Sequence, residues 1–260
     1  GAGTFSNATN SALVLDVADS ILSLTGNGTI SGPVKLESGT LKSTGSPTVS
    51  GAMTQYSDAT IEVSTNQTLT YSGAPFSLGA NTLTLTGGGT LVSGGLDLNN
   101  ANSKLLLNSI TVDSVSTTVD NSLGVDVDND STITSLSVAN ITPVSIASGK
   151  TLSGAITLTA GSLKLTEAGT LASSVSMSGG VLDADESSTV SGALSHSADI
   201  TIDVADNKTL TYSGSAISVG ANTITLSGGG SLISGGLNLN NANSKLLLNS
   251  ITLDNVSTSA

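Results

Sequence analysis

The stretch Asn99-Asn100-Ala101-Asn102-Ser103-Lys104-Leu105-Leu106-Leu107-Asn108-Ser109-Ile110-Thr111 occurs twice, the second time unchanged as Asn240 to Thr252. Around it, the block from Thr48 to Thr117 realigns without a gap on Thr189 to Thr258, and Thr68-Leu69-Thr70-Tyr71-Ser72-Gly73 returns as Thr209 to Gly214. The offset is 141 residues throughout. Extended to both ends, it matches residues 1–119 with 142–260 and leaves 120–141 between them. A repeat of this kind decides the architecture before any single element is assigned.

A shorter period lies inside the long one. A Ser or Thr followed by an aliphatic residue recurs at Thr29-Ile30, Thr48-Val49, Thr68-Leu69, Thr90-Leu91, Ser109-Ile110, Thr132-Ile133 and Thr151-Leu152. It goes on at Thr170-Leu171, Thr189-Val190, Thr209-Leu210, Ser231-Leu232 and Ser250-Ile251, with spacings of 19 to 23 residues. Seven short steps make one long period. Segments such as Thr82-Leu83-Thr84-Leu85-Thr86 alternate as strands do. A unit of about 20 residues cannot bury its own apolar face, so it must stack on its neighbours.

The prediction is an all-β fold: a parallel β-solenoid with coils of about 20 residues and seven coils per 141-residue repeat. Residues 1–260 form one continuous domain, and 120–141 is the acidic, longest coil joining the long repeats. A β-sandwich or several small β-domains are the alternatives, but they rarely keep so even a period. Aliphatic positions should form inward ladders, with Leu69, Leu91, Ile133, Leu152, Leu171, Leu210 and Leu232 buried; the Ser and Thr before them should form an outward hydroxyl ladder. Gly28, Asn66, Gly88-Gly89 and Asn207 fall where coil corners need permissive backbone angles.

Composition narrows the function. Of the chain, 37% is apolar, with Phe5, Tyr56, Tyr71, Phe76 and Tyr212 as the only aromatics, which points to a thin interior. Abundant Ser, Thr, Asn and Gly disfavour helix. Nineteen acids face seven lysines and no arginine, and a net charge of −12 repels a phosphate backbone, so no nucleic acid is expected as a partner. With no cysteine there is neither a disulfide framework nor a thiolate metal site. No apolar run is long enough to span a bilayer, so no membrane insertion is expected in this segment. The first residues carry no charged-then-apolar leader and neither end carries a charged or helical cap; the expectation is a segment of a larger protein, or chains stacked end to end.

The run Gly79-Ala80-Asn81-Thr82-Leu83-Thr84-Leu85-Thr86-Gly87-Gly88-Gly89-Thr90-Leu91, with its copy at Gly220 to Leu232, resembles repeats of bacterial autotransporter passenger domains and related secreted β-helical adhesins. That resemblance implies export, an extracellular or cell-surface location and a role in adhesion or biofilm matrix. It brings no catalytic residue.

Individual residues point to no chemistry. His196 is the only histidine and its counterpart is Gln55, so the repeats share no imidazole for a triad or metal site. Asp183, Asp185 and Glu186 are the densest acids of the second repeat, yet the matching positions are Lys42, Thr44 and Gly45. Asp126, Asp128 and Asp130 resemble the start of a calcium loop, but Ser131 stands where its sharp-turn glycine would be and Ser137 where a bidentate Glu would close it. Thr-x-Thr pairs such as Thr68/Thr70, Thr82/Thr84/Thr86, Thr209/Thr211 and Thr223/Thr225 raise ice binding, without the wide regular plane that it needs. Sequons at Asn7, Asn27, Asn66, Asn129, Asn140, Asn207 and Asn255 are what this composition produces by chance.

The expectation is therefore a non-enzymatic structural protein with no catalytic, cofactor or metal residues and no cofactor. It is a rigid extracellular solenoid building a surface fibre, sheath or stalk, with itself or adjoining repeats as partner. The alternative is an adhesin segment mediating attachment.

Overall fold

The computed structural model describes residues 4–5, 13–16 and 19–258, so the sequon at Asn7 lies outside the described residues. These residues divide between two compact units, Gly1–Thr134 and Ser135–Ala260. No helix occurs among them. Consequently no helix is long and apolar enough to cross a membrane.

Each unit is a parallel β-solenoid. A coil runs through three short strands, as in Thr29–Ile30, Val34–Leu36 and Thr40–Ser43, followed one coil later by Thr48–Val49, Met53–Gln55 and Ala59–Val63. The third strand of the coil occurs six times in the first unit, from Ile21–Leu24 to Gly124–Asn129. It occurs six times again in the second, from Ile141–Ile146 to Lys245–Leu248. Backbone hydrogen bonds join the coils in both directions: Thr48 N–H donates to Gly28 O of the coil before it at 3.0 Å, and Val34 N–H to Ala52 O of the coil after it at 2.9 Å. Stacking is thus what satisfies a backbone that no hairpin partner satisfies.

Side-chain alternation sets the two faces of every strand. In Thr82–Thr86 the leucines point in and the threonines out, and Leu83 and Leu85 are fully buried. Leu69, Leu91, Ile133, Leu152, Leu171, Leu210 and Leu232 all lie inside, none more than 1% exposed. Each such side chain contributes about 1.5–3 kcal/mol by leaving water. Among the described residues the buried aromatic side chains are Tyr71, Phe76 and Tyr212, set among aliphatic neighbours. Tyr71 meets Phe76 edge-on with ring centroids 6.3 Å apart.

The register departs from the expected one at four places, one of them where Thr189-Val190 meets Thr211-Tyr212 instead of Thr209-Leu210. Thr48-Val49 stacks on Thr70-Tyr71, not on Thr68-Leu69, while Thr68-Leu69 carries the next coil's Thr90-Leu91. Thr90-Leu91 in turn meets Thr111-Val112 instead of Ser109-Ile110, and Ser231-Leu232 meets Thr252-Leu253 instead of Ser250-Ile251. Each slip is two residues long, which keeps the same side chains facing in. Ser109 and Ser250 are instead corner residues, both at φ 57°, like Asn66 at 62° and Asn207 at 60°.

Corners are tied by side chains that recur at the long period. Asp58 accepts the Thr82 amide and Asp199 the Thr223 amide, each at 2.7 Å. Asn99 and Asn240 accept the amides of Gly79 and Gly220, each at 3.0 Å. These side chains supply acceptors where the strand ladder lapses at a turn.

Candidate functional site

Among the described residues the stack is broken at the second strand of the coil, once in each unit. Leu13–Leu15, Val34–Leu36 and Met53–Gln55 form a three-stranded ladder that ends there, and the next coil's Phe76–Ser77 pairs onward with Leu96–Leu98 only. The same break recurs in the second unit between Leu194–His196 and Ile217–Ser218. At both seams a buried phenol replaces the missing strand: Tyr71 Oη accepts the Met53 amide at 3.2 Å, and Tyr212 Oη the Leu194 amide at 3.1 Å. Gly73 and Gly214 are needed beside them, since a Cβ there would meet the ring within 2.5 Å and the hydroxyl within 2.3 Å respectively.

The two seams differ in what crosses them. In the second unit His196 Nε2 lies 2.9 Å from Ser218 O and Nδ1 3.0 Å from Ala198 O, so the ring bridges neighbouring coils. In the first unit Gln55 Nε2 donates instead to Ser57 O at 3.0 Å and Thr82 O at 2.7 Å. An open notch of about 370 Å³ remains there, with Thr54, Gln55, Tyr56, Tyr71, Pro75 and Ser77 among its walls. Tyr56 is 59% exposed, and Lys35 Nζ stands 5.6 Å from its ring centroid.

No family model, curated protein or solved structure matches the chain.

Four of the acids singled out in the sequence, Asp126, Asp183, Asp185 and Glu186, are engaged in ion pairs between coils. Lys164 Nζ reaches Asp183 at 3.3 Å and Asp185 at 3.0 Å, and Lys208 reaches Glu186 at 2.6 Å. Asp183 sits in register with Asp203 of the next coil. Burial, and then repulsion from Asp185, push its carboxyl above the ordinary range despite Lys164. Lys164 is held above its own ordinary value, first by its hydrogen bond to Asp185. Asp126 and Asp128 project outward from the strand Gly124–Asn129, and Asp126 is taken up by Lys104 at 2.6 Å. Among the described residues no three His, Cys, Asp or Glu side chains converge as a metal site would require.

The outward threonines form single files. Thr29, Thr48 and Thr70 are successive rungs, and so are Thr68, Thr90 and Thr111, but Val92 stands opposite Thr70. Of the sequon residues, Asn66 and Asn207 are exposed corners, while Asn27 accepts the Ser46 amide at 2.9 Å and Asn129 donates to Asn108 at 2.7 Å.

Reading the repeat for what it shares passes over the notch. The signal was in what the repeats do not share: Met53-Thr54-Gln55-Tyr56-Ser57 aligns with Leu194-Ser195-His196-Ser197-Ala198, five successive differences inside an otherwise close match.

Proposed function

We propose that this chain is a structural protein, a stiff repetitive solenoid that builds an extracellular surface fibre, sheath or stalk. One observation carries the reading. The leucine ladders and the Asp58 and Asp199 corner bonds join one coil to the next, and both are repeated at the long period. Such a scaffold gains rigidity from additive nearest-neighbour contacts, and identical copies suit a spacer better than a single receptor site. The acidic, hydroxyl-rich exterior keeps it soluble by self-repulsion.

Negative-stain electron microscopy over a concentration series tests assembly. Filaments of uniform width that lengthen with concentration are expected for a self-assembling fibre; discrete particles at every concentration would reject self-assembly and leave a stalk built of adjoining repeats in one chain.

A second reading, an adhesin segment that attaches a surface to its surroundings, is favoured by the notch at Tyr56. It is a divergent patch within the close match of Thr48–Thr117 to Thr189–Thr258, and it exposes an aromatic ring in a chain with few.

A further inference from the structure

We propose that the notch at Tyr56 and Lys35 binds a carboxylated sugar residue of a glycan chain. The proposal rests on the adhesin reading and is independent of fibre assembly. A recess lies where the ladder is interrupted between Met53–Gln55 and Phe76–Ser77. Its rim holds Tyr56, whose exposed ring offers an apolar face of the size that the C–H face of a pyranose covers. Thr54, outward on the same strand, supplies a hydroxyl, and the Gln55 side chain leaves its carbonyl oxygen without a hydrogen-bond partner in the wall of the recess. A buried acceptor in that state is costly, and a sugar hydroxyl is a donor that relieves it.

Charge selects the acid. Lys35, like Lys150 and Lys245, forms no ion pair among the described residues, and it stands over the Tyr56 ring; Lys42, Lys104, Lys164 and Lys208 are each paired with an acid of another coil. An unmatched ammonium against one face of an aromatic ring, on a chain of net charge −12, suits a carboxylate carried by a sugar stacked on the other face. The second unit serves as the internal comparison. Ser176, His196 and Ser197 replace Lys35, Gln55 and Tyr56, and the imidazole crosses the seam.

The test is calorimetric titration of the whole chain with a galacturonic acid tetramer and, in parallel, with a galactose tetramer. The acid tetramer is expected to bind at least about tenfold more tightly, a difference of about 1.4 kcal/mol, and added salt should erode that preference. Y56A should abolish binding of both. K35Q should remove the preference for the acid while leaving the neutral tetramer unchanged, with both variants keeping the wild-type circular dichroism. No binding of the acid tetramer, equal binding of the two, or full binding by Y56A would overturn the proposal. Filament formation, scored separately, bears only on the fibre.

Discussion

Asp113 accepts two hydrogen bonds from Ser93 of the preceding coil, one from its amide at 2.9 Å and one from its hydroxyl at 2.7 Å, and a third from the Gly94 amide at 3.1 Å. The carboxylate thereby fastens the turn between two strands to the coil that stacks on it. In the second repeat Asp254 holds Ser234 in the same way, at 2.9 Å to the amide and 3.3 Å to the hydroxyl.

Burial alone would raise the Asp113 carboxyl, but the hydrogen bonds from Ser93, Ser114 and Gly94 together outweigh it and hold the group below the ordinary carboxylate range. A folded-state value that is depressed means stability present above the unfolded value, near 4, and lost as pH falls through the lower folded one. D113A should therefore cost about 1–2 kcal/mol at neutral pH, from the loss of charge-assisted bonds at a partly solvated site. Urea denaturation as a function of pH checks this. The gap between wild type and D113A should narrow in acid, and a gap that stays constant would mean that the charge plays no part.

The inward ladder predicts a sharp asymmetry within one strand. Leu85 is fully buried and its neighbour Thr84 points out. L85A should cost about 2–5 kcal/mol through lost transfer energy and the cavity left behind, whereas T84A should lie within about 0.5 kcal/mol of wild type. Thermal or urea midpoints of the two variants separate the faces directly, and equal effects would contradict the register.

Leu85 also illustrates how much of the fold could be read from the residues. Period-2 alternation and the recurring Thr-aliphatic pair locate the inward face of every coil, because burying one face leaves no freedom to turn a strand over. They do not locate the register along the strand. Thr68-Leu69 and Thr70-Tyr71 carry the same polar-then-apolar signature, so the spacing cannot tell which of them stacks on Thr48-Val49, and the structure chooses the second. The notch was hidden for a related reason: it depends on a phenol taking the place of a strand, and Tyr71 looks from its spacing like any other inward residue. Tyr56 is visible only as a difference between copies.

The phenol at the seam leads to a third prediction. In Y71F the Met53 amide loses its acceptor inside the protein, where an unsatisfied donor costs about 1–3 kcal/mol. Y212F should do the same to the Leu194 amide. Amide exchange measured by NMR should quicken at Met53 in the first variant and at Leu194 in the second, with little change elsewhere. Protection that survives either substitution would show that the amide has another acceptor.

Close stacking of corners sets a fourth. A Cβ added at Gly51 would lie 2.0 Å from the carbonyl oxygen of Gly32 in the preceding coil, and one added at Gly192 would lie 2.0 Å from that of Ser173. Both obstacles are backbone, which yields only by moving the coil. G51A and G192A should each lose about 1–3 kcal/mol, the range for overpacking. Differential scanning calorimetry checks both variants, and unchanged midpoints would mean that the corners stand further apart than the structure has them.

The ion pairs around Lys164 should behave unequally, although both carboxylates touch the same ammonium. Asp185 is the more exposed and its hydrogen bond is the foremost cause that raises Lys164, while Asp183 is more buried, faces Asp203 in the next coil and titrates above the ordinary range. A carboxylate whose folded value is raised loses stability as it ionises, so Asp183 weighs against the fold as pH rises through the ordinary carboxylate range and beyond. The raised lysine acts in the other direction: its contribution is present below its unfolded value and lost only as pH climbs through the folded one, in alkali. At neutral pH, D185N should cost up to about 1 kcal/mol, the ceiling for a solvated pair. D183N should be neutral or stabilising there, because Lys164 keeps Asp185 and the repulsion between the two aspartates is gone. Denaturant midpoints of the two variants at neutral pH decide it. A larger loss in D183N than in D185N would mean that the buried pair, and not the exposed one, holds these coils together.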